Sequence, residues 1–319
     1  MDSLTWADIV QARERIAGLA HRTPVMSCQA LDRKVNGSVF LKCENFQRTG
    51  SFKFRGACNA VAALPAEARA RGVLAHSSGN HAQALALAAT LHNATAHIVM
   101  PENAPGIKKA ATAGYGAQIT LCAPTNAARV ETAARVAEET GAVFVSAHND
   151  PSVIAGQGTA LCELVEDQGP LDIILAPVGG GGLLSGTLVA AQGLAPSARV
   201  IGCEPAGADD AYRGLEAGHR IVDFTPETIA DGLRTPLGDN TFEIIREHVD
   251  RIVRVEEPDI LRAMRFVWER MKIVIEPSSA VAIAPLLTAE VEAQGARVGV
   301  IVSGGNVDLG WVFARGEDH

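Results

Sequence analysis

The hexapeptide Ser51-Phe52-Lys53-Phe54-Arg55-Gly56 is the stretch around which the rest of the chain is organised. It follows Gly50 and precedes an alanine-rich run. This local pattern predicts a turn that closes at Gly50, a helix cap at Ser51 and a helix that begins at the lysine. An apolar setting disfavours the ammonium form of a lysine and so lowers its pKa. Taken alone, the stretch fits either a surface lysine in a first helical turn or an amine available as a nucleophile.

Composition limits the classes of protein that need to be considered. The chain has 319 residues, of which 47% are hydrophobic and 20% charged, enough for about two domains with a sizeable core. A net charge of −8 argues against a nucleic-acid partner or an anionic membrane. The six cysteines are scattered without a C-x-x-C pair, which predicts reduced, mostly buried thiols of a cytoplasmic protein. The N-terminal segment carries acidic residues and no apolar core, unlike a secretory signal.

Apolar strand candidates alternate with helix candidates along most of the chain. The predicted strands are 38–43, 73–76, 96–100, 118–121, 143–145, 172–178, 199–204, 251–255 and 297–302. The predicted helices are 5–19, 82–91, 106–113, 126–140, 258–272 and 278–294. This rhythm predicts an α/β fold with parallel sheets flanked by helices, and two sheets that share one cleft are the simplest packing.

The stretch 173–198 has no charged residue and is long enough to suggest a membrane span. Four consecutive glycines and two prolines interrupt it, which favours a strand, a loop and a buried helix. We therefore expect no membrane partner.

The glycine run Gly179-Gly180-Gly181-Gly182 ends a hydrophobic strand and opens a helix. Glycines let the backbone approach an anion, and a helix N-terminus offers unpaired N–H groups and a favourable dipole. The run therefore predicts a phosphate-binding loop, with a plain flexible loop as the alternative. No lysine follows as in nucleotide hydrolases, and the dinucleotide-binding pattern fits poorly.

Polar residues also follow two other predicted strands. The segment Ser77-Ser78-Gly79-Asn80-His81 opens a helix, where hydroxyl and N–H groups suit a carboxylate. A simple helix cap at Ser77 or Ser78 is the alternative. Ser303 ends the last strand, where its hydroxyl either faces the ring nitrogen of a ligand or belongs to an ordinary turn.

A lysine in an apolar setting, a phosphate-binding glycine run and a strand-end serine are the components of a pyridoxal-phosphate site. The chain resembles the fold-type II pyridoxal-phosphate enzymes, and among them the serine/threonine dehydratase and serine racemase group. The matching segments keep the family's order: 44–57, 77–81, 155–159, 179–182, 204–205, 228–232, 276–278 and 303–306. The resemblance implies a tryptophan synthase β-like fold of two open twisted sheets, with the cofactor in the inter-domain cleft. It also implies a large domain of residues 1–72 and 147–319 and a small mobile domain of residues 73–146 that closes over the substrate.

The resemblance assigns roles to individual residues. Lys53 would bind the cofactor covalently and remove the substrate α-proton, and Ser78 would exchange a proton on the opposite face. The residues expected at the cofactor are Phe52 against the ring, Asn80 at its phenolic oxygen, Ser303 at its pyridine nitrogen, and Gly179, Gly180, Gly181 and Gly182 at its phosphate. The residues expected at the substrate are Ser77, Ser78, His81, Arg129 and Thr235.

The resemblance further implies a divalent cation and a homodimer. Glu204, Asp210 and the carbonyl of Ala208 look like a racemase-type site for Mg²⁺, with Ca²⁺ or Mn²⁺ next; a surface acidic turn is the alternative. Gln83 and Lys272 match positions of a nucleotide site between subunits in racemases. His148 stands where an asparagine is usual, which leaves nucleotide activation open. The short stretch after residue 306 predicts no regulatory domain.

The activity implied is elimination of water from a β-hydroxy amino acid to give a 2-oxo acid and ammonia. The segments 45–48 and 52–56, together with His81 and Arg129, favour 3-hydroxyaspartate over L-serine and L-threonine. A serine racemase with dehydratase side activity is the alternative. A β-replacement synthase, a nicotinamide dehydrogenase and a non-catalytic binding protein are the competing classes, since a fold does not fix a function.

Overall fold

The computed structural model describes residues 4–310 as strands and helices that alternate along the chain. The strands are β1 (Val25–Met26), β2 (Ser38–Cys43), β3 (Val73–His76), β4 (Ala96–Pro101), β5 (Gln118–Cys122), β6 (Val143–Phe144), β7 (Ile173–Pro177), β8 (Arg199–Pro205), β9 (Arg251–Val255) and β10 (Arg297–Val302). The first helices are α1 (Trp6–Ile16), α2 (Gln29–Val35), α3 (Lys53–Ala63), α4 (Ala66–Ala70), α5 (Asn80–Leu91), α6 (Gly106–Gly114) and α7 (Asn126–Thr140). The remaining helices are α8 (Pro151–Gln168), α9 (Gly182–Leu194), α10 (Asp210–Ala217), α11 (Asp239–His248), α12 (Glu257–Met271), α13 (Pro277–Ala280) and α14 (Ala284–Leu287).

Six strands form the larger sheet, in the order β1-β2-β10-β7-β8-β9. The β1–β2 pair is antiparallel and the other pairs are parallel. Strand β7 shows why a parallel strand that is buried on both faces has a continuous apolar sequence. Ile173 and Leu175 point into one core cluster, and Ile174 and Ala176 point into the cluster on the opposite face. Helices cover both faces, as is usual for parallel sheets.

Four parallel strands form the smaller sheet, in the order β5-β4-β3-β6. Ala75 of β3 packs on one face with Leu85 of α5, and Leu74 packs on the other with Ala133 of α7. Helix α3, which begins at Lys53, also contributes Phe54 to the first of these clusters. The base of the helix that carries the lysine is therefore fixed by the core of the smaller sheet.

The structure confirms the predicted fold class of two mostly parallel sheets flanked by helices. The uncharged stretch 173–198 forms strand β7, the glycine loop and helix α9, as predicted. Across residues 4–310, none of the helices has both the length and the apolar character needed to cross a membrane. The division into a large domain and a mobile small domain stays a prediction.

Two local predictions were wrong. The segment predicted as one helix over 278–294 forms the short helices α13 and α14, and the backbone turns left-handed at Ala289, with a φ of 63°. An α-helix does not continue through that conformation. Ser51 does not cap α3, because it is held in extended pairing with Gly304 and Phe52 occupies the cap position.

Candidate active site

The loop before Lys53 is tied to the end of strand β10. Ser51 forms an isolated antiparallel bridge with Gly304, and the N–H of Phe52 donates to the carbonyl oxygen of Ser303 at 2.9 Å. These backbone contacts bring the lysine and the strand-end serine together, although they lie far apart in the sequence. The two residues that the sequence predicted at the cofactor therefore belong to one site.

Lys53 is the first residue of α3, and its amine lies in a partly buried position. The Nζ atom donates to the carbonyl oxygen of Ala147 at 2.8 Å and lies 5.0 Å from the centre of the Phe52 ring. Burial lowers the pKa of Lys53 to about 8, and the nearby Glu276 carboxylate acts in the opposite direction. About a tenth of the amine is therefore neutral at pH 7, far more than for an ordinary exposed lysine.

The glycine loop presents backbone N–H groups that the protein does not use. Gly179, Gly181 and Gly182 are buried and Gly180 is half-buried. Within residues 4–310, none of the four N–H groups donates a hydrogen bond to another protein atom. Buried N–H groups normally have a partner, so this loop at the start of α9 has room for a bound anion.

Only glycine fits in this loop. Gly181 has a left-handed backbone with a φ of 86°. A Cβ atom at Gly180 would lie 2.4 Å from the His148 ring, and one at Gly179 would lie 2.8 Å from the Cα atom of Leu233. The pKa of His148 falls to about 4 through burial and the Lys53 charge, so its ring is neutral where it contacts the loop.

Asn80 is held by two polar residues on the other side of the cleft. Its Nδ2 group donates to both carboxylate oxygens of Glu276 at 3.1 Å, and its Oδ1 atom accepts from Asn306 Nδ2 at 2.9 Å. The backbone N–H of Asn306 also donates to Glu276 at 3.2 Å. A carboxylate only accepts, so these contacts fix which end of the Asn80 amide is the donor.

Sequence reasoning gave Glu276 no role, yet the structure places this carboxyl at the centre of the site. It is 3% exposed, and burial raises its pKa to about 7. The sequence feature that could have indicated Glu276 is its position as an acidic residue between the apolar Ile275 and Pro277, which begins a helix. Ala147, which accepts from Lys53, carries no side-chain signal and was not predictable.

Ser303 is buried at the end of β10. Its hydroxyl lies 3.0 Å from the hydroxyl of Ser279. Ser279 also donates to the carbonyl oxygen of Gly304 at 2.7 Å and accepts from the Gly304 N–H at 2.7 Å. Because the Ser279 proton is committed to that carbonyl, the Ser303 hydroxyl is the donor in its contact with the Ser279 oxygen.

Two of the predicted substrate residues, Ser77 and Ser78, lie in the loop from β3 to α5, and His81 is the second residue of α5. The Ser77 hydroxyl accepts weakly from the Gly79 N–H at 3.4 Å, and the Ser78 hydroxyl has no hydrogen-bond partner within residues 4–310. Gly79, not a serine, is the cap residue of α5. His81 Nε2 lies 3.1 Å from the carbonyl oxygen of Val145, and burial lowers the pKa of His81 to about 3.

Arg129 and Thr235 lie on separate elements. Arg129 is half-buried in the first turn of α7. Thr235 is exposed in the segment before α11, two residues before Leu237, whose side chain packs close to Gly181. Their roles at a substrate, like those of the other site residues, stay predictions.

Glu204 lies near the carboxyl end of β8, close to Asp210 at the start of α10. Both are buried, and the two Glu204 oxygens accept from the N–H groups of Ala211 and Tyr212 at 3.0 Å. Asp210 accepts from Leu237 through one oxygen, and its Oδ1 atom has no partner. Burial raises the pKa of Asp210 to about 7; burial and the Asp210 charge raise that of Glu204.

In the described part of the chain, no cluster of three or more His, Cys, Asp or Glu side chains is arranged to hold a metal ion. The expected set has only two such side chains, Glu204 and Asp210, and a backbone carbonyl. The partnerless, buried Oδ1 atom of Asp210 is the one observation here that calls for a further ligand.

Together these features fit pyridoxal phosphate. The glycine loop supplies unpaired N–H groups for a phosphate, and Lys53 supplies an amine of lowered pKa for an aldehyde. Asn80 supplies an oriented amide, and the Ser303 hydroxyl supplies one proton that can turn from the Ser279 oxygen to a ring nitrogen. The fold and the site therefore define the class of α/β enzymes that use this cofactor.

Comparisons with known proteins agree with this class. The pattern of the family described as "Pyridoxal-phosphate dependent enzyme" matches residues 16–304. The chain belongs to this family. It is 48% identical over 305 residues to the beta-hydroxyaspartate dehydratase of Paracoccus denitrificans, covering 96% of this chain and 97% of that protein.

Two further relatives are named for different activities. The L-threo-3-hydroxyaspartate ammonia-lyase of Saccharomyces cerevisiae is 46% identical over 306 residues, covering 96% of this chain and 94% of that protein. The solved structure of maize serine racemase superimposes with a TM-score of 0.95 at 42% identity, covering 99% of this chain and 98% of that one.

Proposed function

We propose that this protein is a pyridoxal-phosphate-dependent ammonia-lyase that eliminates water from a β-hydroxy amino acid and releases a 2-oxo acid and ammonia. The preferred substrate is 3-hydroxyaspartate, which gives oxaloacetate, followed by L-serine and L-threonine. The observation that carries the proposal is the Lys53 amine, whose pKa is lowered to about 8 and which lies in one site with the glycine loop and Ser303.

The resemblance to the family assigns the residues that would hold the cofactor, and the contacts of the site support this assignment. Gly179–Gly182 would bind its phosphate, Lys53 its aldehyde carbon, Asn80 its phenolic oxygen and Ser303 its ring nitrogen. When bound, pyridoxal phosphate supplies the electron sink that stabilises negative charge left at the substrate Cα atom.

Lys53 has a second task during turnover. With the substrate amino group bound in its place, the Lys53 Nζ atom takes the proton from the substrate Cα atom. A base must be neutral to do this, and burial favours the neutral amine. The Ala147 carbonyl, which accepts from Nζ at 2.8 Å, orients the amine. The β-hydroxyl would then leave as water, which balances the proton removed from Cα, and hydrolysis of the resulting enamine would give the 2-oxo acid and ammonia.

We expect Ser303 to favour elimination, because it limits how far negative charge is delocalised into the pyridine ring of the cofactor. A hydroxyl is a very weak acid, so it donates a hydrogen bond to a ring nitrogen without transferring its proton. A ring with an unprotonated nitrogen withdraws the negative charge at Cα less strongly. That charge is instead removed when the β-substituent leaves with its bonding electrons. Ser279, whose oxygen accepts from Ser303 at 3.0 Å, fixes the position of the Ser303 oxygen, and the Ser303 proton would turn to the ring nitrogen.

The choice of 3-hydroxyaspartate rests on two kinds of support. The relatives from Paracoccus denitrificans and Saccharomyces cerevisiae carry this substrate in their names. In this chain, the half-buried Arg129 pairs with no carboxylate among residues 4–310, so its charge is available to an acidic substrate.

Serine racemisation with elimination as a side reaction is the second candidate. Ser78 follows β3 with its hydroxyl uncommitted to any protein partner in the described chain, as a residue that exchanges protons requires. The similarity to maize serine racemase agrees with this alternative.

A substrate panel tests the proposal. The holoenzyme is given L-serine, D-serine, L-threonine and each stereoisomer of 3-hydroxyaspartate, and 2-oxo acid, ammonia and both amino-acid enantiomers are measured. We expect oxaloacetate and ammonia in equal amounts from at least one hydroxyaspartate stereoisomer, at a kcat/KM above that for serine. A serine enantiomer formed faster than any 2-oxo acid would favour the racemase instead.

The same proposal includes a divalent cation, most simply Mg²⁺, held by Glu204, Asp210 and the Ala208 carbonyl. The free Oδ1 atom of the buried Asp210 supports it, and hard oxygen ligands suit this ion.

The proposal also includes a cytoplasmic homodimer. Six buried free cysteines suit a reducing compartment, and the exposed side chains of Phe46 and Val274 suit a subunit contact.

A further inference from the structure

We propose that the buried Arg55 is a positioning residue, which fixes the distance and direction from Lys53 to the glycine loop so that one cofactor molecule reaches both. This inference rests on the cofactor site proposed above. Arg55 lies two residues after Lys53, and the sequence motifs assign it no role. It acts on the site only through the helix that the two residues share.

Arg55 is wholly buried, and each of its three guanidinium nitrogens donates to a carboxylate. Nε and Nη2 donate to the two oxygens of Glu44 at 2.7 and 2.8 Å. Nη1 and Nη2 donate to the two oxygens of Glu163, both at 2.8 Å. The guanidinium therefore makes a bidentate contact on two sides. Such planar contacts fix the orientation of an arginine as well as its position.

A second buried cation balances the charge of this cluster. The Lys42 Nζ atom lies 2.6 Å from Glu163 and donates to the Thr23 carbonyl oxygen at 2.6 Å. Two cations, Lys42 and Arg55, thus face two anions, Glu44 and Glu163. Burying such ions costs about as much as their attraction returns, and apolar residues of similar size are often as stable. What the ions add is a fixed geometry.

The cluster links the first turn of α3 to two other elements. Glu44 directly follows β2, and Glu163 belongs to α8. Arg55 and Lys53 are two residues apart, so at about 100° per residue their side chains leave α3 on opposite sides. Arg55 enters the cluster, and Lys53 reaches the Ala147 carbonyl oxygen. Holding Arg55 therefore fixes the rotation of α3 about its axis, and with it the direction of Lys53.

A small rotation of α3 is enough to matter for the lysine. Side chains extend about 5–6 Å from a helix axis, so a rotation of about 10° moves them by about 1 Å. A misplacement of about 1 Å can cost on the order of 100-fold where groups must be held in register. Lys53 and the glycine loop would hold two ends of one rigid molecule, so their separation has this sensitivity.

Helix α8 connects the anchored end of α3 to the glycine loop. On one side, the Gly56 N–H donates to Gln157 at 3.1 Å, and a Cβ atom at Gly156 would lie 2.6 Å from the Gly56 Cα atom. On the other side, a Cβ atom at Gly158 would lie 2.5 Å from the carbonyl oxygen of Gly186. Gly186 belongs to α9, which begins at the glycine loop. At these points the three helices pack backbone against backbone, with no flexible side chain to absorb a shift.

Two halves of the cofactor test the inference without turnover. Pyridoxal lacks the phosphate and attaches only through the lysine, whose Nζ atom forms a C=N bond to the aldehyde carbon while the aldehyde oxygen leaves as water. Deoxypyridoxine phosphate lacks the aldehyde and uses only the glycine loop. Pyridoxal phosphate uses both, so its affinity beyond that of the two halves measures how well the two positions match. Titration of the apoprotein gives the three Kd values.

Arg55→Lys keeps the charge and removes the planar set of donors. We expect it to weaken pyridoxal phosphate at least tenfold, while the Kd of each half stays within about threefold of the wild-type value. Glu163→Gln keeps one oxygen for Arg55 and should weaken pyridoxal phosphate selectively by at least about threefold; it decides the question if Arg55→Lys does not fold. Arg13→Lys is the matched control, because Arg13 pairs with Glu166 of α8 at the surface. It should leave all three Kd values unchanged.

Two results would overturn the inference alone. A loss shared equally by all three ligands would mean that the cluster only supports the fold, and unchanged Kd values would mean that it does not position the lysine. Pyridoxal that attaches to Lys53→Ala as tightly as to wild type would overturn the proposed cofactor site, and this inference with it.

Discussion

The ammonium group of Lys108 lies 2.6 Å from the Asp231 carboxylate, and this salt bridge joins helix α6 to the turn over residues 231–233. Lys108 belongs to α6, beside the smaller sheet, and Asp231 begins a short 3-10 turn on the other side. The same turn contains Leu233, whose backbone packs against Gly179 of the glycine loop. The pair therefore links the smaller sheet to the wall of the candidate cofactor site.

We expect the salt bridge to favour a closed cleft. Both side chains are partly exposed, so the pair contributes about 0.2–1 kcal/mol, or up to about fivefold in kcat/KM. Lys108→Met and Asp231→Asn should each raise KM within that range, and the double variant should be no worse than either single one. Added NaCl should raise the KM of wild type more than the KM of the variants, because salt screens the exposed pair.

Lys109 provides the matched control for these variants, because its Nζ atom donates to the Glu102 carbonyl oxygen and not to Asp231. Lys109→Met should leave KM unchanged. Additive losses in the Lys108→Met, Asp231→Asn double variant would mean that the two residues do not act as a pair.

Ser78 should be dispensable for elimination and required for racemisation. Lys53 removes the α-proton on its own face, whereas inversion at Cα needs a second group on the opposite face. Ser78→Ala should therefore form 2-oxo acid within a few fold of the wild-type rate. Conversion of one serine enantiomer into the other should stop. Chiral chromatography of the remaining serine measures this, and undiminished racemisation in Ser78→Ala would rule the residue out.

A divalent cation should stabilise the fold through Asp210. At 100 times its Kd, a ligand adds about 2.7 kcal/mol to the free energy of unfolding, so Mg²⁺ should raise Tm by at least about 3 °C over chelated protein. Because the pKa of Asp210 is raised to about 7, a cation competes with a proton there and should bind more tightly at pH 8 than at pH 6.

The isosteric Asp210→Asn keeps the acceptor for the Leu237 N–H and removes the charge, so it should lose the Tm increase. Glu216→Gln on the exposed side of α10 is the control and should behave as wild type. A Tm that does not change with Mg²⁺, Ca²⁺ or Mn²⁺ would contradict the cation site.

The pH dependence of cofactor attachment should report the lowered pKa of Lys53. Only the neutral amine attacks an aldehyde, so the rate at which apoprotein takes up pyridoxal phosphate should rise with pH and level off above about 8. Stopped-flow absorbance of the apoprotein measures that rate. A midpoint near 10.4, the value of an ordinary lysine, would show that burial does not tune this amine.

The sequence predicted the fold where the signal was local. Strands such as β7 are continuous apolar runs because both faces are covered, and their ranges were predicted to within a few residues. The helix predicted over 278–294 failed because its apolar residues are buried through tertiary contacts, not through one helical face. Helix α8 was not predicted, since its buried glycines and polar residues obscure the helical pattern.

The candidate site was predictable where chemistry needs a particular residue type. The glycine run, Lys53 and Ser303 carry that signal, and the structure brings them together. Glu276 and Ala147 could not be assigned in the same way. Glu276 acts through Asn80 across the cleft, and Ala147 contributes only a backbone carbonyl. Such partners depend on the packing of distant segments, which no local pattern records.

Peptide mapping of the covalently bound cofactor decides whether Lys53 is the residue that carries it. The holoenzyme is reduced with borohydride, digested and mapped by mass spectrometry, with Lys53→Ala treated in parallel. We predict that pyridoxyl phosphate is found on Lys53 alone in wild type, and that Lys53→Ala carries none and forms no 2-oxo acid. A label on another lysine, or turnover by Lys53→Ala at the wild-type rate, would contradict the account.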